Sequence, residues 1–578
     1  MKIRLNKWGF LLILVLAGAA LFGFSPTKGQ AEAGSPGVVL TGSVYDRQGQ
    51  PVEGAMVTML KPGESIPTLK HGEDLADLQA MTQADGRFLI SVLEPLDGDL
   101  VLVTQRTHYK TIETPLGSAV VTKLNAGESV SLADVVLVHQ ISIAFWIATL
   151  IFIIVLALIA LGWLHNTLSS LMGAALIFIF SYLGPIVNKN LYIFSFNDAL
   201  KYIDWNVIFL IMGMMIVIAV IERTGIFQWL AFKAYKVSGG RAWLLLTILM
   251  IITGVASAFL DNVTTMLLMT PITVQIALSM GISPLALLIP EVFASNVVGI
   301  STLVGTPTNI LIGSYARISF GNFLSNLTPG VLIALIALVL YSLWIYRKEL
   351  KTNTDEEMME LLMDKLAEQA KITEKTNLIK AGVVGLGMIL LFVTGENFQM
   401  LPSVTAIIGA TALLIWIKPD IEEMIESVDW TTLVFFMTLF ICVGAIQEVG
   451  LISYIADWIG ALVGKNLVLA MLAIVWVGAV LSTFIANIPF TAAMLPVVGF
   501  LTGNIPGAES KVLFYCLSVG SAMGGNGSLI GASANMVTAG IAERAGYPIT
   551  YTYFLKKGFP ALLITTGIAC IWLLIKFL

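Results

Sequence analysis

The sequence has few charged residues. Asp, Glu, Lys and Arg make up 12% of its 578 residues, against about 25% in a soluble domain. Hydrophobic residues make up 57% and occur in runs such as 141–164 and 331–346, which are close to or longer than the roughly 17–25 residues that cross a bilayer as a helix. This composition excludes a single soluble enzyme and predicts an all-α polytopic membrane protein.

Histidine and cysteine are also scarce. All four histidines precede residue 166, and the three cysteines, Cys442, Cys516 and Cys570, lie in apolar segments. This excludes a histidine metal site or proton relay from most of the membrane part, as well as a disulfide framework or CxxC site. The net charge of −5 offers no basic surface to nucleic acid, and no phosphate-binding G-x-x-x-x-G-K-[ST] loop is present. We expect no catalytic residues, metal or cofactor.

The N-terminal part of the chain contains two segments of different character. Residues 1–33 have a basic start, an apolar stretch and an Ala-Glu-Ala sequence, which are typical of a signal peptide; an uncleaved anchor helix is the alternative. Residues 34–139 alternate like short strands separated by turns, which predicts a small exported β-sandwich. The expected strands are 38–45, 55–60, 88–92, 100–104 and 130–138.

Two motifs in this segment resemble a known domain family. The run G-x-V-x-D-x-x-G-x-P-V-x-G-A-x-V over 42–57 and T-x-A-D-G-x-F over 82–88 are similar to the carboxypeptidase-regulatory-like fold. The resemblance implies a domain that binds or spaces and does not catalyse. Segment 34–139 is thus expected to be either a spacer or an extracytoplasmic module for an unknown ligand.

From residue 141 onward the chain repeats itself. Asp204-Trp205 recurs as Asp429-Trp430, and Asn309 recurs as Asn535 at nearly the same offset. Two copies are therefore predicted, in 141–346 and 378–578. Lys and Arg follow different helices in the two copies, which predicts opposite orientations in the membrane. Inverted repeats of this kind are typical of secondary transporters.

The segment that joins the copies, 347–377, begins with Arg347, Lys348 and Lys351 and is therefore predicted to be cytoplasmic. Its acidic and apolar residues alternate at helical spacing, which predicts an amphipathic linker helix.

Twelve apolar segments are candidate spans, and four shorter ones follow Asp261, Asn309, Asn487 and Asn535. The short segments are interrupted and predict re-entrant hairpins or broken helices, which a membrane tolerates only where they line a cavity. The candidate spans are 141–164, 167–187, 205–222, 242–260, 283–302, 331–346, 378–395, 401–417, 430–447, 466–483, 511–524 and 560–577.

Polar residues at the ends of these short segments form the candidate site. Asn, Ser and Thr side chains, unwound carbonyls and helix N-termini can coordinate a small ion or oxyanion near the midplane. The candidate substrate- or ion-binding residues are Asp261, Asn262, Thr264, Thr265, Thr306, Thr308, Asn309, Asn487, Thr491, Asn526, Ser528, Ser533 and Asn535. Expected backbone or hinge residues are Gly305, Pro307, Pro489, Gly525, Gly527 and Gly531; for the glycines, close helix packing is the alternative.

Two ionisable residues are expected deep in the membrane, where such residues are functional candidates. Asp261 stands at a hairpin tip, whereas its repeat counterpart is Ala486. Glu291 lies within an apolar segment. Both are candidates for proton or cation coupling. The alternatives are an Asp that caps a helix and a structural, hydrogen-bonded Glu.

The motifs Ser257–Thr265, Asn487–Pro496 and Gly524–Asn535 closely resemble the pink-eyed dilution (P) protein family. That family belongs with arsenite permeases, divalent anion:sodium symporters and sodium/proton antiporters in the ion transporter superfamily. The resemblance implies a homodimer in which a transport domain moves against a scaffold, an elevator-type alternating access. Ala486 departs from the family, which has Asp in the second hairpin. The sequence Gly305-Thr-Pro-Thr-Asn309 is nearer the anion:sodium symporters.

Three functions remain open. The first is ion-gradient-driven transport of a small anion or oxyanion of arsenite or carboxylate type, with Asn262, Asn309, Asn487 and Asn535 as a ring that binds substrate or the coupling Na⁺ or H⁺. The second is a sodium/proton antiporter that uses Asp261 as the shared carboxylate. The third is a non-transporting sensor. Each places the chain in the cytoplasmic membrane, with 34–139 outside and 347–377 inside.

Overall fold

The computed structural model describes residues 38–47, 49–64, 78–351 and 372–578. The chain divides into two compact units, Met1–Val138 and His139–Leu578. The predicted signal segment 1–33 lies outside the described residues. So does 352–371, which holds most of the predicted linker helix.

The first unit contains two four-stranded sheets around one hydrophobic core that includes Leu40, Ile90 and Leu102. One sheet has the order β4-β1-β7, with β8 also beside β1, and the other the order β3-β2-β5-β6. The strands are β1 (Val38–Asp46), β2 (Met56–Leu60), β3 (Gln79–Met81), β4 (Arg87–Val92), β5 (Leu100–Gln105), β6 (Ile112–Leu116), β7 (Val130–Ser131) and β8 (Val135–Leu137). One helix, α1 (Ser118–Asn125), was not expected.

The predicted single strand over 130–138 is two strands. Leu40 of β1 pairs with Val130, and Val44 pairs with Val135. The stretch from Val130 to Val135 is thus one residue longer than the stretch of β1 that it faces, and the extra residue interrupts the ladder as a β-bulge does. Alternation in sequence does not reveal such an interruption.

The second unit is helical. Its first half contains α2 (Ile143–Leu161), α3 (Asn166–Val187), α4 (Phe196–Lys201), α5 (Trp205–Glu222), α6 (Ile226–Ser238), α7 (Ala242–Phe259), α8 (Asn262–Ser279), α9 (Leu285–Gly299), α10 (Pro307–Ala316) and α11 (Phe320–Ile345). Its second half contains α12 (Lys375–Thr394), α13 (Pro402–Ile417), α14 (Ile421–Glu426), α15 (Trp430–Glu448), α16 (Leu451–Val463), α17 (Leu467–Phe484), α18 (Asn487–Asn504), α19 (Val512–Gly524), α20 (Ser533–Arg544) and α21 (Tyr551–Phe577).

The helices of the two halves correspond one to one, α2 with α12 through α11 with α21, and their ends carry matching signals. The Asp204 carboxylate accepts from the backbone N–H of Asn206 (3.0 Å) at the start of α5, and Asp429 accepts from Thr432 (3.0 Å) at the start of α15. An Asp at this position satisfies N–H groups that the helix leaves unpaired. Gly225 and Gly450 precede α6 and α16 with φ of 75° and 89°, a conformation that favours glycine.

The packing repeats in the same way. Helix α7 packs on α9 as α17 packs on α19, and α3 packs on α15 as α13 packs on α5. Between the halves, α8 contacts α20, α10 contacts α18, and α11 contacts α21. Each contact thus has a counterpart when the halves are exchanged, which is the arrangement expected of two copies related by a pseudo-two-fold axis.

Among the described residues, 10 helices are long and apolar enough to cross a membrane, so the chain is a polytopic membrane protein. The sequence expectation is wrong for the segment after Asp261, because α8 has 18 residues and is one of these candidates. It is also wrong for 283–302, 401–417 and 511–524, whose helices have only 15, 16 and 13 residues and are not among these candidates. Interrupted segments follow α9 and α19, the helices of 283–302 and 511–524.

Candidate functional site

Two segments without α-helical structure, here called the unwound segments, lie at matching positions of the halves, 300–306 before α10 and 525–532 before α20. The second begins with a short 3-10 turn, Gly525–Gly527. The Asn309 amide donates to the carbonyls of Ile300 (3.0 Å) and Thr302 (2.7 Å). The Asn535 amide donates to the carbonyls of Gly525 (2.7 Å) and Ser528 (2.8 Å). Each asparagine therefore satisfies carbonyls that the break in the helix leaves unpaired, as a buried backbone requires.

A hydroxyl joins each unwound segment to the hairpin of its own half. Thr302 Oγ1 donates to the Ala258 carbonyl, and Ser528 Oγ donates to the Thr483 carbonyl. The two contacts are repeat counterparts, since both partners occupy matching positions in the halves. Ser528, a predicted site residue, thus has a structural contact, and its counterpart Thr302 was not predicted.

The glycines of the unwound segments lie against backbone. A Cβ on Gly305 would come within 2.6 Å of the Ser257 carbonyl oxygen, and one on Gly531 within 3.0 Å of the Ser482 carbonyl oxygen. A Cβ on Gly525 would meet the Gly531 oxygen at 3.3 Å, and one on Gly527 would overlap the Thr483 side chain. These contacts match the close-packing alternative for the glycines.

The oxygens of the same two asparagines accept hydrogen bonds from the opposite half. Ser518 Oγ on α19 donates to Asn309 Oδ1 at 2.5 Å, and Asn296 Nδ2 on α9 donates to Asn535 Oδ1 at 3.0 Å. Each asparagine therefore closes its own loop with its amide nitrogen and binds the other half with its oxygen. Each unwound segment is thereby linked, through the asparagine that closes it, to a helix of the opposite half.

Asn296 is the centre of a buried network of amides. Its Oδ1 accepts from Asn262 Nδ2 (2.9 Å), and its Nδ2 donates to both Asn526 Oδ1 (2.9 Å) and Asn535 Oδ1 (3.0 Å). The network joins α8 and α9 of the first half to the unwound segment and α20 of the second. Asn296 was not predicted, because its repeat counterpart is Ala522 and it therefore does not form a matched pair of polar residues.

The network fixes the orientation of each amide. Asn535 Nδ2 donates to two carbonyls, so the atom that Asn535 directs at Asn296 is its acceptor, Oδ1. The Asn296 atom that bonds to it is therefore the donor, Nδ2. Because Asn296 Nδ2 also contacts Asn526, the Asn526 atom at that contact is its acceptor, Oδ1. The Nδ2 of Asn526 is then left buried without a hydrogen-bond partner among the described residues, on a side chain that is 0% exposed.

The first hairpin tip is a capped helix start. Asp261 Oδ1 accepts from the backbone N–H groups of Val263 (2.9 Å) and Thr264 (3.0 Å), and Asp261 Oδ2 accepts from Thr264 Oγ1 (2.5 Å). Thr265 Oγ1 donates to the Asp261 carbonyl at 2.9 Å. The geometry is that of the capping alternative, and it engages both oxygens of the carboxylate.

The second hairpin tip lacks this cap, because Ala486 occupies the position of the Asp. Thr491 Oγ1 donates to the Asn487 carbonyl at 2.7 Å, which keeps the hydroxyl within its own helix. Asn487 is buried and Pro489 lies in the first turn of α18. The two tips therefore differ in charge although their helices correspond.

The remaining predicted residues surround the starts of α10 and α20. Thr306 caps α10 through a bond from the Asn309 N–H (3.2 Å), and the hydroxyls of Thr306 and Thr308 lie 2.9 Å apart. Pro307 is the first residue of α10, where proline is favoured. Ser533 is half-buried at the start of α20.

The predicted ring of four asparagines is not one connected network. Hydrogen bonds link Asn262 to Asn535 through Asn296, whereas Asn309 is linked to Ser518. Among the described residues, Asn487 joins neither set through a hydrogen bond of its side chain. Asn309 and Asn535 each donate their amide N–H groups to carbonyls of their own unwound segment, and so these amide groups do not hydrogen-bond to each other.

Glu291 lies on α9, one to two turns from Asn296, and is 0% exposed. Thr273 Oγ1 of α8 is 3.0 Å from its Oε1 and 3.1 Å from its Oε2, and Thr253 Oγ1 of α7 is 3.4 Å from Oε2. The carboxyl group is therefore separate from the amide network and bound by hydroxyls from two neighbouring helices.

Sequence comparison identifies the family of this helical unit. The citrate transporter family matches residues 156–512, which is more than half of the chain. The chain belongs to the citrate transporter family. It is 36% identical to a 46 kDa membrane protein of Mycobacterium leprae, over 75% of this chain and 99% of that protein. It is 35% identical to a protein of Mycobacterium tuberculosis named as a transporter, over 75% of this chain and 98% of the other.

The citrate transporter family member also resembles human P protein, with 31% identity over 74% of this chain and 59% of that protein. The predicted relation to P proteins is thereby confirmed, and the family model that matches the chain is described as that of citrate transporters. Among solved structures, Neisseria gonorrhoeae MtrF, described as illuminating a class of antimetabolite efflux pumps, has a TM-score of 0.46 and 11% identity, covering 74% of this chain and 94% of the other. The chain is a membrane transporter, in line with the expected non-enzymatic role.

Proposed function

We propose that this transporter carries a small anion or oxyanion across the cytoplasmic membrane, driven by an ion gradient, and that the amide network around Asn296 binds it. A carboxylate is the preferred class, with an arsenite-type oxyanion as the other. The observation that carries the proposal is the buried, unpartnered Nδ2 of Asn526. An orphan buried donor costs about 1–3 kcal/mol, and an oxygen of the substrate would satisfy it.

The Nδ2 of Asn526 lies at a position where a transporter that works by alternating access is expected to bind its substrate. It belongs to an unwound segment of the second half, and its neighbour Asn262 stands at the start of α8 in the first half. Helix N-termini carry partial positive charge, which favours an anion. Side chains of Asp261 and Thr306 already cap α8 and α10, whereas α18 and α20 begin without a side-chain cap, so the N-termini of these two helices are the ones that favour an anion. Neutral amides with helix termini would bind an anion without a buried cationic side chain.

The sodium/proton antiporter remains the second candidate, with Asp261 as its carboxylate. The cap at Asp261 counts against it, because three hydrogen bonds already occupy most of the acceptor sites of the carboxylate oxygens. The half-buried position of Asp261 counts in favour of access from water. The sensor alternative predicts ligand binding without flux.

The architecture we propose around this site follows the repeats. The segments 141–346 and 378–578 would be inverted copies, joined by a cytoplasmic linker 347–377. The β unit within 34–139 would be extracytoplasmic and follow a signal peptide. The transporter would work as a homodimer by an elevator movement, coupled to Na⁺ or H⁺.

Transport by purified protein in proteoliposomes tests the function. We expect vesicles preloaded with unlabelled citrate to accumulate labelled citrate by exchange, and arsenite or chloride added outside to compete if the site accepts them. Asn526→Ala should abolish or strongly reduce exchange. Asn504→Ala is the matched control, because Asn504 is exposed and donates only to its own helix at Phe500 (2.8 Å).

A trapped pH dye separates the two transport candidates. External Na⁺ should leave the internal pH of substrate-free vesicles unchanged if the protein is an anion transporter. A sodium-triggered pH change that disappears in Asp261→Asn would instead establish the antiporter. Exchange that is equal in the wild type and in Asn526→Ala would contradict the proposed site.

A further inference from the structure

The surroundings of Glu291 favour a neutral carboxyl group over a charged carboxylate. The side chain is 0% exposed, and the contacts to its oxygens come from the hydroxyls of Thr273 and Thr253. A buried ion without a partner of opposite charge costs several kcal/mol, and ionisable residues in membranes are retained mainly for function.

The helices packed against α9 carry few groups that could balance a charge. Helices α7 and α8, which supply both threonines, contain no titratable side chain at all. Among the described residues, no salt bridge is formed by Glu291. The titratable residues of the other helices that contact α9 are Tyr341 on α11, Tyr515 and Cys516 on α19, Glu543 and Arg544 on α20, and Tyr551, Tyr553, Lys556, Lys557, Cys570 and Lys576 on α21.

The position of Thr273 favours a proton over a metal cation. One hydroxyl lies at 3.0 and 3.1 Å from the two carboxyl oxygens, so it can donate to an unprotonated oxygen or, after rotation, accept from the protonated one. An oxygen-liganded cation needs about six ligands, whereas the described side chains offer the two carboxyl oxygens and two hydroxyls.

The second half has no equivalent of this group. At the offset that relates Asp204 to Asp429, Gly478 stands for Thr253 and Val498 for Thr273. At the offset that relates Asn309 to Asn535, Leu517 stands for Glu291. All three polar members are thus replaced by residues without a polar side chain. Within the part of the chain that the structure describes, a buried Glu bound by two threonine hydroxyls occurs once, which implies a single proton per chain.

A cavity of about 310 Å³ lies along α8, on the side that carries Pro271 and Gln275. Its lining is largely apolar, from residues of α5, α6 and α8, but it includes the polar side chains of Glu222, Gln228 and Gln275. Thr273 lies between Pro271 and Gln275 in sequence but contacts Glu291. One helix therefore separates the cavity from the carboxyl group.

We infer that Glu291 is a proton-binding site, one per chain, and that Thr273 positions the proton between α8 and α9. When α8 moves, the O–H bond of the Glu291 carboxyl breaks, the proton passes to a water molecule of the cavity, and a carboxylate remains; uptake is the reverse. The inference rests on the proposed function for its coupling role.

Infrared difference spectroscopy on the full-length protein in detergent tests proton binding without any substrate. At neutral pH we expect the C=O stretching band of a protonated carboxyl group, lost in Glu291→Gln and shifted in Thr273→Val. Glu543→Gln, at an exposed glutamate of α20, should leave the band unchanged. A band that survives Glu291→Gln unaltered would overturn the inference. If that variant does not fold, an unshifted band in Thr273→Val would do the same.

Transport assays test the coupling role with a separate readout. Glu291→Gln should retain citrate exchange at equal pH but lose the acceleration of net uptake by a pH gradient. Full acceleration in Glu291→Gln would refute coupling by this residue. Absence of citrate exchange in the wild type would refute the proposed substrate, whereas the infrared band would still report whether Glu291 holds a proton.

Discussion

Replacing Asn296 by alanine removes the centre of the amide network. The substitution deletes three hydrogen bonds, with Asn262, Asn526 and Asn535, at 2.9, 2.9 and 3.0 Å. It leaves the side chains of these partners in place, buried and facing a space the size of an amide group. Because the network joins the two halves, we expect loss of stability as well as weaker substrate binding.

The magnitude follows from the number of bonds. Hydrogen bonds between membrane helices are worth about 0.6 kcal/mol on average and up to about 1.7 kcal/mol. Three of them, all buried, predict that Asn296→Ala lowers the free energy of unfolding by about 2–5 kcal/mol. The upper part of this range applies if water cannot reach the abandoned amides, since an unsatisfied buried group costs about 1–3 kcal/mol.

Unfolding in mixed micelles, followed by tryptophan fluorescence, provides the measurement. The single variants Asn296→Ala and Asn526→Ala and the double variant form a cycle, with Asn504→Ala as the surface control. Among the described residues, the side chain of Asn526 hydrogen-bonds to Asn296 alone. The effects should therefore not add, and the double variant should be more stable than the sum of the single effects predicts by roughly 0.5–1.7 kcal/mol.

The reasoning would be refuted by an effect no larger than that of a surface substitution, about 0.5 kcal/mol, together with additive behaviour in the cycle. Such a result would mean that the amides are satisfied by water and that the orientation argument for Asn526 fails. Citrate exchange measured on the same preparations separates loss of binding from loss of folded protein.

Three further predictions concern the hairpin tips and the unwound segments. Asp261→Asn should lower the free energy of unfolding by no more than about 1 kcal/mol, because Asn caps helices as well as Asp does and only the bond from Thr264 Oγ1 to the second oxygen is lost; a larger loss would show that the charge matters. Gly305→Ala should reduce the yield of monodisperse protein in size-exclusion chromatography, since its Cβ would crowd the Ser257 carbonyl, whereas Gly385→Ala has open space and should not. Thr302→Val removes two buried hydrogen bonds, to the Ala258 carbonyl and from the Gly305 N–H, and should cost about 1–3 kcal/mol in the unfolding assay; no measurable loss would contradict the contact to the hairpin.

Internal repetition explains why much of the helical unit was predictable. The pairs Asp204 with Asp429 and Asn309 with Asn535 occupy equivalent positions and make equivalent contacts. A polar residue that occurs at the same position of both repeats, each time within an apolar segment, is rare enough to be recognised from a single sequence. Where only one half carries the polar residue, as for Asn296 opposite Ala522, this signal is absent and the residue was missed.

The sequence by itself determined the class of the protein, its two copies and the positions of the helix breaks, because composition, hydrophobic length and Gly, Pro and Asn placement act locally. Only the tertiary structure decided which polar groups meet. An amide has two ends, and the partner that each end takes depends on helices far apart in sequence. Thus Asn309 and Asn535 close their own loops, Asp261 caps a helix, and Glu291 lies apart from the amides with two threonines as its partners.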